Sequence, residues 1–129
     1  MSGRYVLDTN IVIALFDGDK SVRDRVAAAD EIFIPAIVLG ELYFGALRSN
    51  NPEDNIARID DLARSFAILL IDESTAKIYG MLQRDLYAVG KPIPKNDVWI
   101  AATARQCNCT IATRDDHFTL LSSVVVEKW

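Results

Sequence analysis

The chain has 129 residues, half of them hydrophobic and a quarter charged, with a formal net charge of −4. That length supports one compact domain with a substantial core, and the acidic balance excludes the basic footprint of a non-specific polyanion binder. No apolar run approaches the roughly 20 residues needed to span a bilayer, and "MSGRYVLD" lacks signal-peptide anatomy, so a cytoplasmic protein without membrane contact is expected.

In chain order, "RYVLD" predicts a short strand ending at Asp8, followed by a helical stretch "NIVIALF" that "DGD" interrupts. "SVRDRVAAA" predicts a helix with Ser21 as its cap. "EIFIP" is the second strand, and Pro35 is placed to open the next helix. "PEDNIARIDDLARSF" puts Ile56, Ile59, Leu62 and Ala63 on one face, the pattern of an amphipathic helix. "AILLI" predicts a third strand, continuously apolar as in buried parallel sheets. Asp72 is expected to cap "ESTAKIYGMLQRDLYAV", which Gly90 stops. After the rigid "KPIPK", Asn96 is the expected N-cap of "DVWIAATARQ", and "CTIAT" and "VVVEK" are the last strands. Cys107 and Cys109 lack the two further ligands of a structural zinc site and read as reduced core residues. Strands separated by helical segments predict one α/β domain over residues 1–129. Its sheet should be parallel, with about five strands and helices on both faces.

The stretch "IPAIVLGELYFGAL" carries one charge among its fourteen residues, Glu41. At helical spacing Glu41 shares its face with Val38, Leu42 and Gly45, so its carboxylate is expected to lose hydration and to need a partner. In parallel sheets, ligands bind beyond the carboxyl ends of the strands. Asp8 ends the first strand, Asp115 follows the fourth, and Asp97 stands at a helix N-terminus, where the backbone dipole favours an anion. Each acid alone could be a turn or capping residue. Together they form a set of carboxylates with no basic partner, which calls for a cation. All-oxygen ligands suit Mg²⁺, and Mn²⁺ as well. The matching chemistry is hydrolysis of a phosphodiester. The same helix is apolar nearly all round, so its outer face, with Leu39, Tyr43 and Leu47, is expected either to be buried or to meet another chain.

Four motifs, "VLDTNIVIALF", "IPAIVLGELYFGA", "IPKNDVWIAATA" and "IATRDDHF", resemble in order and spacing those of PIN-domain nucleases, and among these the VapC toxins of toxin–antitoxin pairs. The resemblance runs from about Tyr5 to Phe118. It implies metal-binding acids at Asp8, Glu41, Asp97 and Asp115, with Asp116 as an alternative or additional ligand, and Asn10 and Thr113 as supporting polar neighbours. It also implies a Mg²⁺- or Mn²⁺-dependent endoribonuclease, usually dimeric, held in check by a cognate antitoxin. RNA approaching an acidic chain needs cationic help, for which Arg48, Lys91, Lys95 and Arg114 lie nearest in sequence.

Other readings explain less. A haloacid-dehalogenase-type phosphatase also opens on a strand ending in D-x-D, but here the second acid is Asn10, which cannot serve as a general acid, and Glu41 and Asp97 would have no role. A response-regulator receiver lacks its acidic pair and its mid-chain phospho-acceptor. A non-catalytic PIN-like binding module would not need acids at all four positions. A serine or cysteine hydrolase lacks its motif. His117, the one histidine, reads as a loop residue near the site rather than as a ligand. Tyr43, Phe44 and Trp99 read as core.

Overall fold

The computed structural model describes residues 3–129; Met1 and Ser2, the first residues of "MSGRYVLD", lie outside the described residues. Five strands form one parallel sheet: β1 (Arg4–Leu7), β2 (Glu31–Pro35), β3 (Ala67–Leu69), β4 (Thr110–Thr113) and β5 (Val126–Lys128), in the order β3-β2-β1-β4-β5. Helices α1 (Thr9–Phe16) and α2 (Lys20–Ala28) link β1 to β2, and α3 (Ala36–Leu47) and α4 (Pro52–Ser65) link β2 to β3. Helices α5 (Glu73–Ala88) and α6 (Lys95–Gln106) cross back to β4, and a short 3-10 helix, His117–Leu120, precedes β5.

Successive strand residues point to opposite faces, and in the central strand both Val6 and Leu7 are fully buried, so helices cover the sheet on both sides. Right-handed crossovers require this: the connections through α1–α4 step one way across the sheet, and the connection through α5 and α6 returns over the other face. Ile11, Val12 and Val38 pack into this core from the first set of helices, and Leu82, Val98 and Ile100 from the second. The strand order reverses between β1 and β4, which opens a crevice at their carboxyl ends. No helix among the described residues is long and apolar enough to cross a membrane.

Three local expectations fail for identifiable reasons. The run "AILLI" yields only three strand residues, because β3 pairs with β2 alone and lies at the sheet edge; Leu70 is 73% exposed. Asp19 rather than Ser21 caps α2, its carboxylate accepting the Val22 N–H at 3.1 Å. Helix α6 begins at Lys95 after Pro94, so Asn96 lies inside its first turn and is not the cap. The Asp72 cap is as expected, in a capping box with Thr75 and with Gln106 Nε2 donating to its carboxylate at 3.0 Å. Asp72→Ala is therefore expected to cost about 1–2 kcal/mol of stability in a urea melt, without affecting chemistry at the opposite helix termini.

Candidate active site

Asp8 is the pivot between β1 and α1. Its backbone N–H still bonds the Ala112 carbonyl of β4 at 3.0 Å, while its side chain, on a residue 5% exposed, caps α1 by accepting the Thr9 N–H at 2.8 Å. The other carboxylate oxygen accepts the Thr113 hydroxyl at 2.7 Å. Thr113 Oγ1 in turn accepts the Asp115 N–H at 2.9 Å. One hydroxyl thus ties the acid after β1 to the acid after β4. Asn10 strengthens the same seam, its side-chain oxygen accepting the Arg114 N–H at 3.3 Å.

Two helices bring the remaining acids to this crevice. Pro35 leads β2 into α3, whose buried stripe of Val38, Leu42 and Ala46 leaves the neighbouring Glu41 half-buried and facing the strand ends. Asp97 lies in the first turn of α6, where unpaired N–H groups and the helix dipole favour its charge. Asp115 Oδ1 accepts the His117 N–H at 2.9 Å, a tight turn that opens the 3-10 helix. The turn carries the His117 ring into the site, with Nδ1 3.0 Å from Asp97 Oδ2 and 3.1 Å from Asp115 Oδ1.

The electrostatics agree with this convergence. Burial pushes the Asp8 carboxyl above its ordinary range, and the charges of Asp97 and Asp115 add to the push against the hydrogen bonds from Thr113 and Thr9. Glu41 is raised first by burial and then by Asp8 and Asp97, while the polar side chains of Thr9 and Asn96 pull the other way. Asp97 is raised by burial and by Asp115, with His117 opposing. His117 is raised chiefly by its hydrogen bond to Asp97. Asp8, Glu41 and Asp97 thus each feel the charge of neighbouring site acids, and the His117 imidazole enters the same cluster.

These residues fit a divalent cation. Their donors are hard carboxylate oxygens on four separate elements, crowded at the cost of mutual repulsion. Asp97, Asp115 and His117 each offer a donor atom within 4.8 Å of the other two. The Thr9 hydroxyl is buried on the wall it shares with Glu41.

Asp116 behaves differently from its neighbour: it is exposed, bound to Lys128 Nζ at 2.9 Å, and held below the usual carboxylate range by that contact. Arg114 is committed to Asp19 at 2.8 Å and to the Trp129 carbonyl at 3.0 Å, and Arg48 lies over the Phe44 ring. On α3 the aromatics separate. Tyr43 is half-buried and donates its hydroxyl to Asp60 on α4 at 2.5 Å, whereas Phe44 is 61% and Leu47 64% exposed, so Phe44 is not core and Tyr43 is not on the outer face. Trp99 stacks on Tyr79 at 3.9 Å, joining α6 to α5. Both cysteines are free. His117, expected as a loop residue near the site, reaches two of its acids; its spacing from Asp115 is the signal for that approach.

Comparison with known proteins bears on what this crevice is. The PIN domain profile matches residues 5–122. The chain is 33% identical over 129 residues to Ribonuclease VapC2 of Haemophilus influenzae, covering 98% of each chain. It superposes with a TM-score of 0.90 and 29% identity on the VapBC2 structure from Rickettsia felis bound to a promoter DNA fragment, covering 98% of both chains. A third relative by structure is VapBC-5 of Mycobacterium tuberculosis, a member of the VapBC family of toxin–antitoxin systems, with a TM-score of 0.76, 27% identity and coverage of 98% and 97%. With a profile match over nearly its whole length and a crevice of acids at the strand-order reversal, the chain belongs to the PIN domain family.

Proposed function

We propose that the chain is an endoribonuclease toxin, a single nuclease unit that hydrolyses RNA phosphodiester bonds with a divalent cation and is restrained by a cognate antitoxin in the cytoplasm. The convergence of Asp8, Glu41, Asp97 and Asp115 at the β1/β4 crevice carries this reading, together with the ribonuclease names of its relatives. The four carboxylates suit Mg²⁺, and Mn²⁺ meets the same requirements. A bound cation supplies a hydrolytic nucleophile from water and charge for the departing oxygen of the phosphodiester. The chain's own residues hold the acids for that task. Thr113 and the Thr9 N–H fix both oxygens of Asp8, and Asn10 fixes the loop bearing Asp115 through the Arg114 N–H. Asp115 is the fourth acid in this reading, and Asp116, turned to Lys128, is not. A phosphatase would still need an acid where Asn10 stands and leaves Glu41 and Asp97 without roles. The family's habit of pairing into dimers is proposed for this chain too, and sedimentation reads it directly. Activity is tested by incubating the protein with structured and unstructured RNAs in Mg²⁺, Mn²⁺ or chelator; cleavage that chelator does not stop would overturn the proposal.

The antitoxin is proposed to lie in the groove between α1, α3 and α4. This cavity of about 200 Å³ is lined by Ile13, Phe16, Leu42, Gly45 and Ile59, and Glu41 stands at its wall. An apolar segment seated there could extend a basic side chain toward the acids, replacing the cation's charge and blocking substrate together. Gly45 provides the test, because a Cβ built there meets nothing within 4 Å. Gly45→Leu should fill the groove and weaken antitoxin binding at least about tenfold, a loss of about 1.4 kcal/mol by calorimetry. The melting temperature should hold or rise, since glycine in a helix is about 0.5–1 kcal/mol worse than a residue with a side chain. Unchanged affinity would move the antitoxin elsewhere.

A further inference from the structure

The contact of His117 with two site acids is unlike that of an ordinary paired histidine. One ring nitrogen, Nδ1, faces carboxylate oxygens from two different residues at nearly equal distance, Asp97 Oδ2 at 3.0 Å and Asp115 Oδ1 at 3.1 Å. A single Nδ1–H can only be shared between the two acceptors, and each half of a shared bond is less well aligned than a bond to one oxygen. A cation can serve all three donors at once. Ligands about 2.1 Å from an octahedral metal lie about 3.0 Å apart along each edge of the octahedron. The two observed separations match such edges.

The position is also set by the backbone rather than by packing of the ring. His117 is half-exposed, and its place follows from the N–H bond to Asp115 and from the 3-10 helix it opens. The nitrogen is therefore presented to the acids by the same turn that presents Asp115.

Resting on the metal-dependent nuclease reading above, we propose that His117 Nδ1 is a metal ligand in this chain, completing a mixed site with Asp97 and Asp115 and tilting its preference from Mg²⁺ toward Mn²⁺. Mg²⁺ favours oxygen and dehydrates reluctantly, whereas imidazole nitrogen is a good ligand for later divalent metals, and affinity rises along the first transition row. A carboxylate-only site would discriminate less.

The chain contains one histidine, so a histidine nitrogen coupled to bound metal can come only from His117. The experiment uses tag-free protein loaded with Mn²⁺ and measured by pulsed electron paramagnetic resonance, once with natural histidine and once with nitrogen-15 histidine. A nitrogen-14 modulation that changes on labelling is the expected result. Calorimetry with MnCl₂ and MgCl₂ should show His117→Gln losing at least about tenfold of the Mn²⁺-over-Mg²⁺ preference, with Mg²⁺ affinity changed less. Bound Mn²⁺ without a coupled histidine nitrogen in the wild-type protein overturns the proposal and leaves the carboxylate site standing. Failure of Mn²⁺ to bind at all overturns both.

Discussion

Asp97→Asn should abolish RNA cleavage, lowering the single-turnover rate at least about 1,000-fold in Mn²⁺ or Mg²⁺, because several kcal/mol of charge stabilisation depend on the cation it helps to hold. The substitution keeps the shape of the side chain and removes one negative charge from a position where burial already disfavours it. Glu41→Gln should behave alike, its carboxylate being half-buried among Asp8 and Asp97. Asp8→Asn should be equally inactive but also less stable, since both Asp8 oxygens accept hydrogen bonds and an amide offers only one acceptor. The adjacent acids give the sharpest contrast: Asp115→Asn should be dead, while Asp116→Asn, which gives up only an exposed contact with Lys128, should cleave near the wild-type rate. A fully active Asp97→Asn and Glu41→Gln pair, measured with chelator controls, would place the site elsewhere.

Why some of these residues were legible in the sequence and others not follows from the range over which each is determined. Asp8 and Asp115 are fixed by local patterns, a short apolar strand followed by an acid, and a parallel sheet brings such strand ends together. Glu41 was visible as an anomaly, one charge in an apolar helix, and the structure gives it Asp8 and Asp97 as neighbours. The choice between Asp115 and Asp116 was open because the residues are adjacent; a lysine on β5 draws one of them outward, and Lys128 is twelve positions away in the chain. His117 reads from the sequence as a loop residue near the site, but which acids it meets was not legible, for a related reason. Its approach depends on a side-chain-to-backbone turn at Asp115 and on the distant α6, neither of which hydrophobic periodicity reports. The short β3 shows the same limit from the other side: "AILLI" has the composition of an interior strand, but composition does not say which strand lies at the edge.

The second large effect is thermal. Without metal the protein should lose stability as pH rises, and a divalent cation should reverse the loss. Asp8 and Asp97 have reference values of 3.8 and Glu41 of 4.5, and all three are raised in the fold, by burial first. Above those reference values the unfolded chain has released protons that the native state still binds, so stability falls with pH until the folded values are passed. His117 acts in the next window. Its value is raised above 6.5, so its pairing with Asp97 stabilises the fold below 6.5 and is lost as pH climbs through the folded value. Both windows slope the same way, so the metal-free site weakens the fold progressively as pH rises through them. A cation bound only by the native state, at about 100 times its dissociation constant, adds about 2.7 kcal/mol, or roughly 10 °C in melting temperature for a chain of this size. Asp97→Asn should shrink that gain and, above the pH at which His117 gives up its proton, should melt above the wild type in chelator. Calorimetric melts across the acid and neutral range, with chelator and with millimolar Mn²⁺, measure all of these quantities. Superimposable curves with and without Mn²⁺ at neutral pH would mean that the four carboxylates repel one another for no cation, and the nuclease reading would lose its physical basis.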